Sequence, residues 1–306
     1  PIAQAKVQAA GFNMRLIGET EFSLDKVAKI YTKLGELKGL AATKYTLQTI
    51  AKRADVNLRE ISKAAKEENI EALIIDQICF EGATIAEYLN VPFVTLCSAL
   101  LTNQENTVPP WIQPWKYNQA WWAPLRNKLG YSLFYRIKQP IREVISEYRQ
   151  KWNLPAYDSE EEYNSKLAII CQQPAEFEFP RKNLPAYFHF TGPFHNNTGR
   201  QMIDFPFDKL NGKPLIYASM GTLQNRLQYI FEYIAEACAE LEAQLVISLG
   251  GSAEPETFPK LAGTPLVFKF VPQLELLQKA SLVITHAGLN TTLESLSNGV
   301  PMVAIP

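Results

Sequence analysis

TPLVFKFVPQLELLQKASLVITHAGLNTTLESLSNGVPMVAIP, residues 264–306, contains two short apolar runs that have the length of buried strands. The runs are residues 266–270 and 282–285, and each is followed by polar residues and then by a helix-like segment. Strands that alternate with helices in this way are typical of an α/β domain with a parallel sheet. The stretch therefore predicts an α/β fold for the second half of the chain.

A polar turn follows the second apolar run and leads into a helix. It contains His286, Gly288, Asn290 and Thr291, and Glu294 comes one turn into the helix. Free backbone N–H groups and the helix dipole make such a helix N-terminus suited to a phosphate group. A carboxylate one turn later is placed to accept hydrogen bonds from ribose hydroxyls, so the turn predicts a nucleotide site.

Composition limits the classes of function. The 306 residues carry a net charge of −1, and 47% of them are hydrophobic, as in a globular chain long enough for two domains. Nothing indicates a nucleic-acid-binding surface or a polybasic anchor. No apolar run is long enough to span a bilayer. The four cysteines are widely spaced, which predicts free thiols in a reducing, cytoplasmic compartment.

The earlier part of the chain repeats the alternation of strands and helices. A strand over residues 72–76, a helix over 83–89 and a strand over 92–96 form a βαβ unit and predict a second parallel sheet. The polar stretch over 195–210 reads as a linker. We therefore predict two doubly wound domains, residues 1–200 and 201–306.

The second domain opens with a strand over residues 215–219, and Gly221 and Thr222 then form a turn into a helix over 224–241. A single glycine after a strand is weak evidence for a phosphate site. Neither the GxGxxG dinucleotide fingerprint nor a P-loop is present.

Asp76 ends the strand over residues 72–76, at the edge where ligands bind in open α/β sheets. An aspartate before a helix is also a common N-cap, so both interpretations stay open at this point. An aromatic, proline-rich segment over 103–135 follows the next strand. It suits either the wall of an apolar pocket or simple packing over the sheet, and its four tryptophans are Trp111, Trp115, Trp121 and Trp122.

Three motifs in chain order resemble the UDP-glycosyltransferase superfamily. They are LIID at 73–76, SMGT at 219–222, and FVPQ at 270–273 with HAGLNTTLESLSNGVPMVAIP at 286–306. The resemblance implies the GT-B fold, in which two Rossmann-like domains face each other across a cleft. DQICFEGATIAEYLNVPFV and NQENTVPPWIQPW are similar to bacterial carotenoid (zeaxanthin) glucosyltransferases and the related macrolide glycosyltransferases.

The resemblance assigns a role to each matching position. The aromatic ring that stacks on uracil is Phe270, and Glu294 binds the ribose hydroxyls. Asp76 orients a catalytic histidine that lies upstream of this chain. The remaining positions contact the nucleoside or the diphosphate, and they are Gln273, His286, Gly288, Asn290, Thr291, Gly221 and Thr222.

The implied function is inverting transfer of a hexose, glucose above all, from a UDP-sugar to a hydroxyl of an apolar acceptor such as a carotenoid. No cofactor or metal is expected. A peripheral membrane contact would suit a lipidic acceptor, and the oligomeric state is left open. The alternatives are a macrolide or other small-aglycone transferase, and a non-catalytic nucleotide-sugar-binding protein.

The motifs also predict that the chain is incomplete at both termini. The first strand with the family's catalytic histidine is expected before Pro1. The pair of side chains that holds the sugar hydroxyls is expected after Pro306. By this interpretation the present chain contains the nucleotide half of the donor site and one member of the catalytic pair, and is itself a poor or inactive enzyme.

Overall fold

The computed structural model describes residues 4–195, 200, 202–221, 228–251 and 253–305. The chain divides into two compact units, Pro1–Phe194 and His195–Pro306. The division falls at the start of the polar stretch that the sequence indicates as a linker. Each unit contains one parallel sheet.

The first unit is built on a sheet with the strand order β1-β2-β3-β4, in which every neighbouring pair is parallel. Its helices and strands, in chain order, are α1 Gln4–Ala9, α2 Leu24–Glu36, α3 Gly39–Glu67, β1 Leu73–Asp76, α4 Gly82–Leu89, β2 Phe93–Cys97, α5 Ala123–Ile137, α6 Gln139–Lys151, β3 Ile169–Cys171 and β4 Phe188–Phe190.

The second unit contains a sheet with the order β7-β6-β5-β8-β9, also parallel throughout. Its elements are β5 Leu215–Ser219, α7 Gln228–Cys238, β6 Gln244–Ser248, β7 Leu266–Phe268, α8 Gln273–Leu277, β8 Ala280–Thr285, α9 Leu289–Ser297 and β9 Met302–Ala304. The order reverses between β5 and β8, as in doubly wound nucleotide-binding sheets.

Helices cover both faces of this second sheet, which explains why β5 reads as a continuous apolar run. Ile216 and Ala218 pack with Phe231 of α7 in one core cluster. Tyr217, between them in sequence, packs with Leu276 of α8 in the other. Because successive side chains of a strand point to opposite faces, all five residues of β5 are buried. The predicted parallel, doubly wound sheet is confirmed.

Some element boundaries differ from those predicted. The strand expected over residues 266–270 ends at Phe268, because Lys269 turns its carbonyl toward the amide of Gly251 in the loop after β6. The described part of the helix expected over 224–241 is Gln228–Cys238. All four cysteines are free thiols, and three of them are buried.

Candidate functional site

The carboxyl ends of β5 and β8 meet at the point where the strand order reverses. Ser219 and Thr285, the last residues of these two strands, lie in register. In open α/β sheets ligands bind outside the carboxyl ends of the strands at such a switch point. Topology therefore brings together the two turns that the sequence singled out, the one with Gly221 and the one with His286.

The ring of His286 is packed between two glycines. A Cβ at Gly221 would lie 2.5 Å from Cε1 of His286, and one at Gly288 would lie 2.7 Å from Nε2. Gly221 has a positive φ of 75°, and Ala287, the residue between His286 and Gly288, has a positive φ of 60°. No side chain other than hydrogen fits at 221 or 288 without displacing the imidazole, so these glycines fix the position of its ring.

His286 also has an unsatisfied polar atom. Its Nδ1 is buried, and within the described part of the chain it has no hydrogen-bond partner. Buried polar atoms without partners are rare, and they are found at sites of strain or function. Among the described residues, the packing of the two glycines therefore holds the ring, and no hydrogen bond to Nδ1 contributes.

Helix α9 begins at Leu289, three residues after this histidine, and Gly288 is its N-cap. Gly288 has no side chain with which to cap the helix, and the first turn contains no acidic residue. The first amide groups of a helix have no partner within the helix, and the dipole places positive potential at this end. Asn290 and Thr291 lie in this first turn. The N-terminus of α9 is therefore suited to an anion, as the sequence predicts.

A chain of hydrogen bonds runs from the buried sheet to the surface beside α9. Tyr217 Oη donates to Gln273 Oε1 at 2.9 Å, and Gln273 Nε2 donates to Glu294 Oε2 at 2.6 Å and lies 3.4 Å from Thr291 Oγ1. Arg200 Nη2 donates to Glu294 Oε1 at 2.5 Å. Both carboxylate oxygens of the buried Glu294 thus accept from protein donors, and each keeps a further lone pair.

Two members of this network were missed by sequence reasoning. Tyr217 is the one residue with a polar side-chain group among the apolar residues of LIYA in β5, a pattern that signals a hydroxyl in need of a buried partner. Arg200 is the one arginine in GPFHNNTGR, within the predicted linker. Its separation from Glu294 by 94 positions left no local signal of their contact.

Phe270 lies in the connection between β7 and α8. Its Cζ would lie 2.7 Å from a Cβ at Gly251, which has φ +81°. The ring therefore lies against bare backbone of the loop after β6, and it is partly exposed. This exposed aromatic face has the character of a stacking surface for a base. Thr222, the remaining predicted phosphate contact, lies outside the described residues.

In the first unit, Asp76 holds the turn after β1. Its Oδ1 accepts from the amide of Ile78 at 3.0 Å, and its Oδ2 accepts from the hydroxyl of Ser98. The N-cap of α4 is Glu81, so Asp76 is not the cap of that helix. The N-cap interpretation is therefore wrong, and the carboxylate lies at the strand edge that the catalytic interpretation requires.

The aromatic segment forms one wall of an open cavity in this unit, whose empty space of about 730 Å³ includes solvent at its mouth. Trp111, Tyr131 and Phe134 line it together with Gln77, the residue after Asp76. The cavity also contains a buried ion pair, in which Lys138 Nζ lies 2.5 Å from Glu160 Oε2. Burial lowers the pKa of Lys138, and Glu160 opposes that shift.

The four tryptophans predicted as acceptor-pocket residues do not line one common cavity. Only Trp111 lines the cavity described above. Trp115 packs against Gly130, and the guanidinium of Arg126 lies over the rings of Trp115 and Trp122. Trp121 is 88% exposed. These three therefore do not line the cavity.

Two further properties concern the described residues. They contain no group of three or more His, Cys, Asp or Glu side chains that could hold a metal ion. No helix in this part of the chain is both long and apolar enough to cross a membrane.

Two curated relatives match more than four fifths of the chain. Zeaxanthin glucosyltransferase of Pantoea ananas is 30% identical over 262 residues, which cover 85% of this chain and 61% of the relative. Zeaxanthin glucosyltransferase of Pseudescherichia vulneris is 32% identical over 254 residues, with coverages of 82% and 60%. The chain thus spans about three fifths of the length of these curated relatives.

The fold is that of known glycosyltransferases. The calicheamicin glycosyltransferase CalG4 matches with a TM-score of 0.68 at 19% identity, covering 100% of this chain and 70% of that one. The similarity confirms the GT-B class of two parallel-sheet α/β domains that the motifs implied. The sequence model of the family described as UDP-glucoronosyl and UDP-glucosyl transferase matches residues 4–306. The chain therefore belongs to the UDP-glucoronosyl and UDP-glucosyl transferase family.

Proposed function

We propose that this protein is an inverting glycosyltransferase, which moves a hexose, glucose above all, from a UDP-sugar to a hydroxyl of an apolar acceptor such as a carotenoid. The observation that carries the proposal is the histidine ring packed between Gly221 and Gly288 at the uncapped N-terminus of α9. Family membership and the two zeaxanthin glucosyltransferase relatives support it.

In this proposal the donor's diphosphate lies at the N-terminus of α9. The first amides of the helix, the side chains of Asn290 and Thr291, and the imidazole of His286 supply hydrogen bonds and positive potential. The ribose hydroxyls donate to the remaining lone pairs of Glu294, whose position Gln273 sets through its bond at 2.6 Å. Uracil stacks on the exposed face of the Phe270 ring.

The chemistry is a single displacement. The acceptor hydroxyl oxygen forms a bond to the anomeric carbon while the bond from that carbon to the UDP oxygen breaks, and UDP leaves with the electron pair. Helix α9 and His286 stabilise the negative charge that develops on the departing phosphate, so the proposal requires no metal ion. A general base takes the hydroxyl proton, and Asp76 has the role of orienting that base.

The aromatic side of the cavity in the first unit suits an apolar acceptor, and its polar side contains the ion pair of Lys138 and Glu160. Trp111, Tyr131, Phe134 and Phe80 supply its aromatic walls, and it begins at Gln77 beside Asp76. A carotenoid would be delivered from a membrane, so a peripheral membrane contact belongs to the same proposal. A macrolide or another small aglycone is the alternative acceptor class.

The first experiment measures UDP binding to the chain by titration calorimetry. His286→Ala should weaken binding about tenfold to a hundredfold, the effect of losing one hydrogen bond to a charged group. His189→Ala is the matched control, because that histidine is exposed and lies on β4 in the other unit. Equal UDP affinity of the His286→Ala variant and the parent protein would overturn the assignment of the donor site.

The second experiment measures glucose transfer by the protein from the full coding sequence, with zeaxanthin and a macrolide as acceptors. Transfer to zeaxanthin is the expected result, and Asp76→Ala should lower kcat while UDP affinity stays unchanged. Transfer to the macrolide alone would favour the small-aglycone alternative. UDP binding without transfer to either acceptor would favour the non-catalytic nucleotide-sugar-binding alternative.

A further inference from the structure

Positive charge is concentrated in one segment of the chain. Residues 106–142 contain six of the 30 lysines and arginines and none of the 31 acidic residues, and of these six only Lys138 is buried, in its ion pair with Glu160. The rest of the chain therefore carries 24 basic and 31 acidic residues, so the segment differs in sign from the remainder. The same segment contains four of the five tryptophans. It centres on helix α5.

Helix α5 has a buried face and, on the other side, an exposed row of leucines. Asn127, Tyr131 and Phe134 form the inner face. On the opposite side Leu125, Leu129 and Leu133 recur every four residues and are 59%, 63% and 52% exposed. Leucines at this spacing form one continuous stripe along a helix.

Basic and aromatic residues border the leucine stripe. Lys128 and Arg136 are exposed and lie on the same side of α5 as the leucines. Trp121, which is 88% exposed, comes four residues before Leu125, directly ahead of the helix. We call the set Trp121, Leu125, Lys128, Leu129, Leu133 and Arg136 the outer face of α5.

We propose that the outer face of α5 docks on an anionic lipid bilayer. Its leucines enter the boundary between headgroups and acyl chains, its tryptophan lies at headgroup depth, and its basic side chains reach the lipid phosphates. An exposed apolar stripe marks an interaction surface, and the local excess of positive charge selects a negatively charged partner.

The charges also disfavour a second copy of this chain as the occupant. Two copies that meet face to face about a two-fold axis place the same patch on both sides of the interface. Lys128 and Arg136 of one copy would then approach those of the other, and like charges across an interface weaken binding. A lipid surface has no such conflict.

The test is co-sedimentation of the chain with vesicles of phosphatidylcholine, alone or mixed with phosphatidylglycerol. The parent chain should bind the mixed vesicles more tightly, and added salt should reduce the difference. The Leu125→Ser, Leu129→Ser and Leu133→Ser triple variant should lose about tenfold or more in partitioning. Lys128→Glu with Arg136→Glu should lose roughly fivefold or more per residue.

Each variant has a matched control. Leu24, Leu167 and Leu241 are 55%, 63% and 51% exposed and lie away from α5, so their triple serine variant removes an equal number of exposed leucines. Lys29→Glu with Lys260→Glu makes the same change in net charge at exposed positions elsewhere. Both controls should bind the mixed vesicles like the parent chain.

Three results would overturn the proposal. The first is that the parent chain binds anionic and neutral vesicles equally well. The second is that the outer-face variants and their controls lose the same amount of vesicle binding. The third is that light scattering shows a dimer of the parent chain that dissociates only in the leucine variant. Circular dichroism checks that each variant is folded. We expect the fold to be unchanged, because the substituted leucines are exposed on the surface of the helix. The vesicle experiment uses no nucleotide. A failure of lipid binding can therefore be distinguished from a failure of the donor-site proposal.

Discussion

Gly221→Ala tests directly whether the imidazole of His286 is held by shape. The new Cβ would lie 2.5 Å from Cε1 and 3.0 Å from Nε2 of His286, whereas ordinary contacts of this kind begin at 3.4 Å. The ring must therefore move by about 1 Å or more, the scale on which an optimal hydrogen bond is lost. Alanine at φ +75° also has a backbone cost of about 1–2 kcal/mol.

Gly212 is a control that separates these two effects. Its φ is +80°, almost the same as that of Gly221, but a Cβ there meets nothing within 4 Å. Gly212→Ala should lower the free energy of unfolding by about 1–2 kcal/mol and leave UDP affinity unchanged. Gly221→Ala should have at least that effect on stability and should also weaken UDP binding about tenfold to a hundredfold.

Calorimetry with UDP and urea unfolding of both variants provide the two measurements. The reasoning is refuted if Gly221→Ala binds UDP as tightly as Gly212→Ala does while both remain folded. In that case the ring either moves without consequence for the nucleotide or has no contact with it. Equal losses of UDP affinity in the two variants would show that backbone strain alone is responsible.

Three further changes test the buried polar groups. Gln273→Met removes one hydrogen-bond partner from Tyr217 and one from Glu294, and should lower the free energy of unfolding in urea by about 0.5–1.5 kcal/mol for each lost hydrogen bond. Burial raises the pKa of Tyr217 to about 12, so its contribution to stability is complete below about pH 10 and is lost as pH rises through about 12; thermal unfolding across this range measures the loss. Lys138→Met should lower the free energy of unfolding by about 3–5 kcal/mol, because Glu160 is left buried without its cation.

Each of these has a result that would contradict it. Gln278→Met is the control for Gln273→Met, because Gln278 is the exposed C-cap of α8, and it should leave the free energy of unfolding unchanged. If Gln273→Met also leaves the free energy of unfolding unchanged, the hydrogen-bond network does not contribute to stability. A melting temperature that is flat from about pH 10 to 12 would show that no buried tyrosine is coupled to folding. Adding Glu160→Gln to Lys138→Met should restore much of the lost stability, and no recovery would assign the effect to packing.

Local patterns were enough to predict the architecture and half of the donor site. Strand, glycine turn and helix follow one another within a few residues, so His286, Gly288 and the N-terminus of α9 could be identified without any long-range information. Asp76 was placed at a strand end for the same reason. Local patterns could not decide whether the carboxylate of Asp76 caps a helix. The structure decides this, because the N-cap of α4 is Glu81.

The aromatic segment shows where composition is insufficient. The four tryptophans have the same chemical character, yet Trp111 lines a cavity and Trp121 is exposed to solvent. Trp115 differs from both, because it packs against Gly130. These different environments have no periodic signal in the sequence.

By itself the sequence determined the two parallel-sheet units, the phosphate-suited turn and the family, because each depends on residues close together in the chain. Only the tertiary structure decided that Gly221 and Gly288 hold the ring of His286 from both sides, and that Arg200 and Gln273 take up both oxygens of Glu294. The physical reason is that such contacts arise when the carboxyl ends of β5 and β8 are aligned in one sheet, and the alignment comes from packing across the whole unit.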